Sequence, residues 1–340
     1  MFTYQSNTDL KSIAQRISGA NRIIVTTHAK PDGDAMGSTL ALKRALDHQL
    51  DIEILLMGPV TSPMRAIAGT TSWIDAQQQM PKAGEDLVLL VDTGAFSQVE
   101  PIADWMRDRH DHVIVIDHHA SGDDIGAMRF VDSTAASATM LVKSVIEAMG
   151  LPIEGGPGSV AEALFCGLAT DTGWFRFSNA DARAFSMASE LLQTGINRDG
   201  LYRTIEETAK PTRLALQARA LESIEYVLEG RCAIMQLLPS DFKETKGAPG
   251  ELPGTVNLPL AIESVDFAVL LYSENGTETK ASFRSKPSRE LGGDFVDVSE
   301  LARQLGGGGH VHAAGARVKG PVEDAIKVVQ KVLDSLEGHS

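Results

Sequence analysis

Four apolar runs in the first half of the chain each lead directly into acidic or imidazole side chains, and this repeated grammar restricts the fold more than any other feature. The run 22–27 leads into His28-Ala-Lys-Pro-Asp32-Gly-Asp34. Residues 87–91 lead into Asp92, residues 112–116 into Asp117-His118-His119, and a later apolar stretch ends at Asp171. The turn from His28 to Asp34 is too short to keep one imidazole and two carboxylates apart. Negative charge that dense calls for a bound cation.

Between the runs lie helical patterns at 35–48, 99–109 and 138–149. Strands alternating with helices predict an α/β fold, with a mostly parallel sheet covered by helices on both faces. Ligands in such folds gather outside the carboxyl ends of the strands, where the Asp and His residues fall. After Gly150 the pattern turns helical, at 159–169, 181–192 and 198–207. Lys210-Pro211-Thr212 then marks a hinge before a helix at 213–228. Strands come next at 231–238, 265–272 and 277–284, with Asn275-Gly276 as the turn between the last two. A helix at 298–305, the run Gly306 to Gly309, His310 and an amphipathic helix at 322–336 close a second, smaller α/β domain. The expected organisation is a first domain over 1–190, a linker over 191–215 and a substrate-binding domain over 216–340. A chain of 340 residues can bury two cores of ordinary size.

With 43% hydrophobic and 22% charged residues, the composition is that of a soluble globular protein. Apolar runs fall far short of the roughly 18 residues that cross a bilayer. The N-terminus lacks a signal-peptide layout, so the expectation is a cytoplasmic protein without membrane contact. Cys166 and Cys232 are too few for a disulfide scaffold or a thiolate metal site, and read as small buried residues. The formal net charge of -14 argues against a long nucleic acid, whose affinity depends on many phosphate contacts. Cations held by the acidic cluster would offset part of that charge and leave room for a short anionic substrate.

Carboxylates mixed with imidazoles, and no thiolates, suit Mn²⁺ best, with Mg²⁺ or Co²⁺ as substitutes. The donors outnumber what one ion takes from a protein. Two ions bridged by one carboxylate would stabilise both the attacking and the leaving oxygen of a phosphoryl displacement. Asp92, alone at its strand end, is the candidate bridge, and Asp117 is better suited to orienting a histidine than to binding metal.

Asp117-His118-His119-Ala120 resembles the signature of the DHH phosphoesterase superfamily. The segment His28 to Ser38 is similar to that family's first motif, Val91-Asp-Thr-Gly94 to its second, and Thr170-Asp-Thr-Gly-Trp-Phe175 to its fourth. Gly306-Gly-Gly-Gly-His310-Val-His-Ala-Ala-Gly315 resembles the glycine-rich motif of the DHH-associated domain, and Ser282-Phe-Arg-Ser-Lys286 its preceding strand. The likeness covers nearly the whole chain. It implies that His28, Asp32 and Asp92 hold one Mn²⁺ while Asp34, Asp92, His118 and Asp171 hold the other. His119 would lie beside the scissile phosphate, contacting it or protonating the leaving oxygen. Arg284, Gly307, Gly308 and His310 would bind substrate in the second domain, and His312 would either line the cleft or face solvent.

The branch of the family that fits best hydrolyses very short RNA or DNA strands to mononucleotides and removes the 3′-phosphate of pAp. Phosphodiesterases acting on c-di-AMP or pApA, and a short-chain exopolyphosphatase, are the alternatives. A nucleotide-binding regulatory protein would be favoured only if a ligand were missing. A homodimer is implied by the resemblance alone. Among the remaining residues, Trp174 and Phe175 read as core, Phe283 faces away from Arg284 by strand alternation, and Asp123-Asp124 reads as solvated loop. His48, His110, His112 and His339 stand alone and carry no expected role.

Overall fold

A computed structural model describes residues 2–288 and 293–337, so His339 lies outside the described residues. The chain divides into two compact units, 1–208 and 209–340. The first contains the strands β1 (Arg22–Thr26), β2 (Asp51–Leu56), β3 (Ile74–Asp75), β4 (Leu87–Val91), β5 (Val113–Asp117) and β6 (Met128–Val131). Its helices are α1 (Leu10–Ser18), α2 (Gly33–Leu46), α3 (Ser62–Ala68), α4 (Ala103–Arg107), α5 (Ala138–Ala148), α6 (Val160–Asp171), α7 (Ala182–Gln193) and α8 (Arg198–Ile205).

The strands form one parallel sheet in the order β3-β2-β1-β4-β5-β6. Its central strands are apolar on both sides, as a doubly covered sheet requires. Ile23, Val25, Leu89, Val91, Ile114 and Ile116 pack into one core with Met36 and Leu40 of α2, Val142 of α5 and Leu164 of α6. Their strand neighbours Ile24, Val88, Leu90, Val113 and Val115 face the opposite core, against Ile102 and Met106. Each fully buried aliphatic side chain contributes roughly 1.5–3 kcal/mol, so a one-residue slip of either central strand would exchange the contents of both cores. The strand order reverses between β1 and β4. A sheet of this kind opens its ligand crevice at that switch point, beyond the strands' carboxyl ends.

Three boundaries differ from the sequence reading. The stretch 99–109 is not one helix: two 3-10 turns at 96–98 and 100–102 precede the short α4. Pro101 stands in the first turn of the second of these, where its missing amide hydrogen breaks no bond, and its restraint on the residue before it favours a separate start there. The segment 191–205 does not begin a linker; it completes α7 and forms α8, whose Leu201 is buried in the first unit's core. Finally, α9 (Pro211–Glu222) stops six residues before the expected end at 228. There the Ser223 hydroxyl donates to the Gln236 carbonyl and accepts from the Gln236 amide, both at 2.9 Å, and turns the chain into a strand.

The second unit continues with β7 (Glu225–Val227), β8 (Cys232–Leu237), α10 (Pro239–Thr245), β9 (Phe267–Tyr272), β10 (Glu278–Ser285), α11 (Val298–Gln304), β11 (Gly308–His310), β12 (Ala313–Lys319) and α12 (Val322–Glu337). Its sheet runs β11-β12-β10-β9-β8-β7, parallel only between β8 and β9. Phe267, Val269, Ala281 and Phe283 fill one face with Leu301 of α11 and Val329 of α12. Met235, Ala268 and Leu270 fill the other, with Leu216 of α9. Cys166 and Cys232 are both fully buried free thiols, and burial pushes each up to about 12. Among the described residues, no helix is long and apolar enough to cross a membrane.

Candidate active site

The loop after β1 carries His28 and ends at Asp32, which caps α2: its Oδ1 accepts from the amides of Asp34 at 3.0 Å and Ala35 at 3.1 Å. A carboxylate at a helix N-terminus is stabilised both by those donors and by the helix dipole. Asp34, the second residue of α2, is fully buried and uses a second helix start in the same way. Its Oδ2 accepts from Ala138 N at 2.6 Å and its Oδ1 from Thr139 N at 3.0 Å, the first residues of α5. Two helices thus aim their positive ends at one acidic centre.

Asp92 follows β4 in the left-handed region, at φ 59. Aspartate tolerates that conformation better than most residues, and it turns a nearly buried carboxylate back over the strand ends. His118 follows β5, and its Nδ1 lies 3.2 Å from the Ala135 carbonyl. Because a carbonyl only accepts, that contact places the proton on Nδ1 and leaves the Nε2 lone pair for the centre. Nε2 lies 3.5 Å from Asp92 Oδ1, 3.5 Å from Asp171 Oδ2 and 3.7 Å from Asp34 Oδ2. On the other side of Asp92, His28 Nε2 is 3.5 Å from Asp92 Oδ2 and 3.9 Å from Asp32 Oδ1.

Asp171 arrives from the last residue of α6 rather than from a strand. Close helix contacts bring it in. A Cβ on Gly33 would strike Thr170, one on Gly37 would strike the backbone of Ala163 and Gly167, and one on Gly167 would strike Thr139 and Asp34. These contacts let α2, α5 and α6 converge. Sequence reading missed Gly37 and Gly167, whose spacing carries no sign of a partner more than a hundred residues away.

Four carboxylates and two imidazoles compressed in this way attract positive charge. Burial resists protonation of His28 and His118, yet Asp32 and Asp92 push His28 up to about 9. Asp92, Asp34 and Asp171 push His118 up to about 10. Burial first, and neighbouring carboxylates second, raise Asp34 well above its ordinary range. Burial also lifts Asp171 to about 6, with His118 opposing and Asp92 adding to the shift. The donor sets His28-Asp32-Asp92 and Asp34-His118-Asp171 each have ligand atoms within 4.8 Å of one another, as does Asp92-His118-His119. Oxygen and imidazole donors so placed could hold divalent cations.

Asp117 lies outside those first two sets. Its Oδ1 accepts from His119 Nδ1 at 2.7 Å and from the His118 amide at 2.8 Å, while Tyr4 donates to its Oδ2. Burial would raise this carboxyl, but the hydrogen bonds from His119 and Tyr4 hold it below its usual range. His119 Nδ1 is 3.9 Å from Asp92 Oδ1, and its ring is half exposed. Tyr4 carries no sequence signal of its role. Its phenol is raised far above the ordinary tyrosine range, by burial and then by Asp117.

In the second unit, Ala313 of β12 pairs with Arg284 of β10 on one side and His310 of β11 on the other. The three share one row and one face of the sheet. Phe283 is buried on the face opposite, and burial lowers Arg284. The glycine run serves the backbone first. Gly306, at φ 75, ends α11 with its amide on Arg303 O, and the Gly307 amide donates to Ala302 O at 2.8 Å. That engaged amide removes Gly307 as an anion donor. Its missing Cβ is required by the β12 backbone, whereas a Cβ on Gly308 would meet open space. His312 Nδ1 is 2.9 Å from Ser285 Oγ.

Several residues with no expected role do have partners. Asp123 accepts from the Phe96 amide at 2.7 Å, and Asp124 pairs with Arg129 at 2.6 Å. His110 lies 3.2 Å from Asp111, and His112 3.2 Å from the Asp86 carbonyl. Trp174 and Phe175 pack against the core but also line a cavity of about 630 Å³ with Phe185 and Tyr202.

Residues 22–168 match the DHH family, N-terminal domain, and residues 230–336 the DHHA1 domain. A bifunctional oligoribonuclease and PAP phosphatase NrnA of Thermus thermophilus is 31% identical over 317 residues, covering 92% of this chain and 89% of that protein. The chain belongs to the DHH family. A probable bifunctional oligoribonuclease and PAP phosphatase NrnA of Streptococcus mutans is 26% identical, over 91% of this DHH chain and 93% of its own. The crystal structure of an exopolyphosphatase-related protein from Bacteroides fragilis superposes with a TM-score of 0.84 at 25% identity, over 96% of this chain and 95% of that one.

Proposed function

We propose that this DHH protein is a Mn²⁺-dependent phosphoesterase that hydrolyses short oligonucleotides to mononucleotides and removes the 3′-phosphate of pAp. The observation that carries this reading is the gathering of His28, Asp32, Asp34, His118 and Asp171 around Asp92. The full-length likeness to oligoribonuclease and PAP phosphatase relatives supports the substrate class. One ion would be held by His28, Asp32 and Asp92, and a second by Asp34, Asp92, His118 and Asp171. Such a pair, when bound, would bring water toward ionisation near neutral pH and offset charge on the phosphoryl oxygens.

The chain's own groups perform the remaining tasks. Asp92 presents its two oxygens to the two histidines, one to each, which suits a shared ligand. The Ala135 carbonyl holds His118 in the tautomer that offers Nε2. Asp117 engages His119 Nδ1 and leaves Nε2 free to contact the phosphate or protonate the leaving oxygen. Arg284 and His310, in one row of the second sheet, offer a fork and an imidazole to a substrate phosphate, with Gly308 leaving space beside them.

Incubating the protein with pAp, a five-nucleotide RNA, pApA, c-di-AMP and polyphosphate, with Mn²⁺ and with chelator, tests the reading. Turnover of pAp and the RNA, abolished by chelator, is expected. Turnover confined to c-di-AMP and pApA, or to polyphosphate, would replace the substrate assignment, and no turnover on any of them would favour a nucleotide-binding regulatory protein.

A further inference from the structure

A short segment ahead of α1 reaches the active-site turn from the edge of the first sheet. β6 is one of the sheet's two edge strands, and residues 6 and 7 run alongside it. The Asn7 amide donates to the Arg129 carbonyl at 3.0 Å, and Asn7 Oδ1 accepts from the Arg129 amide at 2.7 Å. Ser6 Oγ donates to the Val131 carbonyl at 2.9 Å and accepts from the Val131 amide at 2.8 Å. The strap so anchored inserts Tyr4 beneath the loops after β4 and β5. A Cβ on Gly94 or on Gly122 would collide with the Tyr4 ring, so both glycines are shaped to receive it. From that slot the hydroxyl donates to Asp117 Oδ2 at 2.5 Å.

Asp117 is fully buried, and its two oxygens are divided between two tasks. Oδ1 takes His119 Nδ1 and the amides of His118 and His119. Oδ2 takes Tyr4. Without the hydroxyl, a buried carboxylate oxygen would lose this donor, and the group would be driven to turn or to draw in water. The ring of His119 depends on that carboxylate for its aim, because its side chain is 54% exposed.

We propose that Tyr4 is a positioning residue for the phosphoester reaction: by fixing the Asp117 carboxylate it sets the orientation and tautomer of His119. The inference rests on the role given to His119 under Proposed function. Outer partners that orient a functional imidazole are worth about 10–100-fold in activity, and Tyr4 reaches His119 through one such partner.

Tyr4→Phe keeps the ring between Gly94 and Gly122 and removes only the hydroxyl. The expected result is a kcat on pAp reduced about tenfold with KM unchanged. In metal-free protein carrying ¹⁵N-labelled histidine, the hydrogen-bonded Nδ1–H resonance of His119, assigned with His119→Gln, should shift and broaden. In the His119→Gln background, Tyr4→Phe should have no further effect on kcat, because the two act in series. An unchanged resonance with unchanged kcat overturns the proposal. A lower melting temperature with kcat and the resonance both unchanged also overturns it, since the hydroxyl would then serve only the fold. Should the wild-type protein hydrolyse none of the offered substrates, the functional reading fails by itself, and the His119 resonance still decides whether Tyr4 sets that ring.

Discussion

The metal-free protein should lose stability as solution turns alkaline, and divalent cation should remove that dependence. Burial opposes charge on His28 and His118, but the surrounding carboxylates outweigh it and hold the two at about 9 and about 10. An unfolded histidine titrates near about 6.5. A folded-state value above the unfolded one means that the native protein binds more protons. The stabilisation is therefore complete below about pH 6.5 and is lost as pH climbs through 9 and 10. Moving one histidine from 6.5 to about 9 is worth roughly 3 kcal/mol, and the pair contributes less than twice that because both depend on Asp92. Asp171, lifted to about 6 in the folded state, and Asp34, raised well above its ordinary range, act in the same direction. Urea unfolding in chelator at about pH 6.5, 8 and 9.5 reads the effect, beside the same series with Mn²⁺ and with a His28→Gln/His118→Gln double variant. A midpoint that stays level or rises with pH in chelator, or a fall equally steep in the double variant, would refute the reasoning.

Three further outcomes are expected from the geometry. Asp92→Asn keeps a residue that tolerates φ 59 but removes the carboxylate proposed to bridge the two ions, so turnover should fall by about a hundredfold or more with the circular dichroism spectrum unchanged. Gly37→Ala gains about 1 kcal/mol in helix propensity yet sets a Cβ against the backbone of Ala163 and Gly167. The net change should be a destabilisation of about 1–2 kcal/mol, and a raised melting temperature would contradict that close approach. Arg284→Ala should raise KM for pAp by about tenfold while leaving kcat nearly intact, which steady-state kinetics separates.

How much of this was legible in the sequence depended on distance along the chain. Residues 22–27, 87–91 and 112–117 announce buried parallel strands because they are apolar on both faces, and covalent connection alone places the next few residues at each strand's carboxyl end. The acidic residues at those ends were therefore readable as one group. Asp171 was readable from its motif, but its place at the end of α6 depends on Gly33, Gly37 and Gly167, small residues whose significance exists only once helices cross. Tyr4 illustrates the same limit: its partner lies 113 residues away, and nothing local marks it. The run Gly306 to Gly309 misled in part, since glycine serves a helix end and a close strand crossing as readily as an anion. Pro101, in the first turn of a 3-10 segment, and Ser223, through a side-chain hydrogen bond, set helix boundaries that apolar periodicity does not register.

Crystals grown with Mn²⁺ and measured at the manganese absorption edge put the central claim to the most direct test. Two anomalous peaks are predicted, both within bonding distance of Asp92, one shared with His28 and Asp32 and the other with Asp34, His118 and Asp171. An active, Mn²⁺-saturated protein with no peak at Asp92, or with its ions bound elsewhere, would contradict the account.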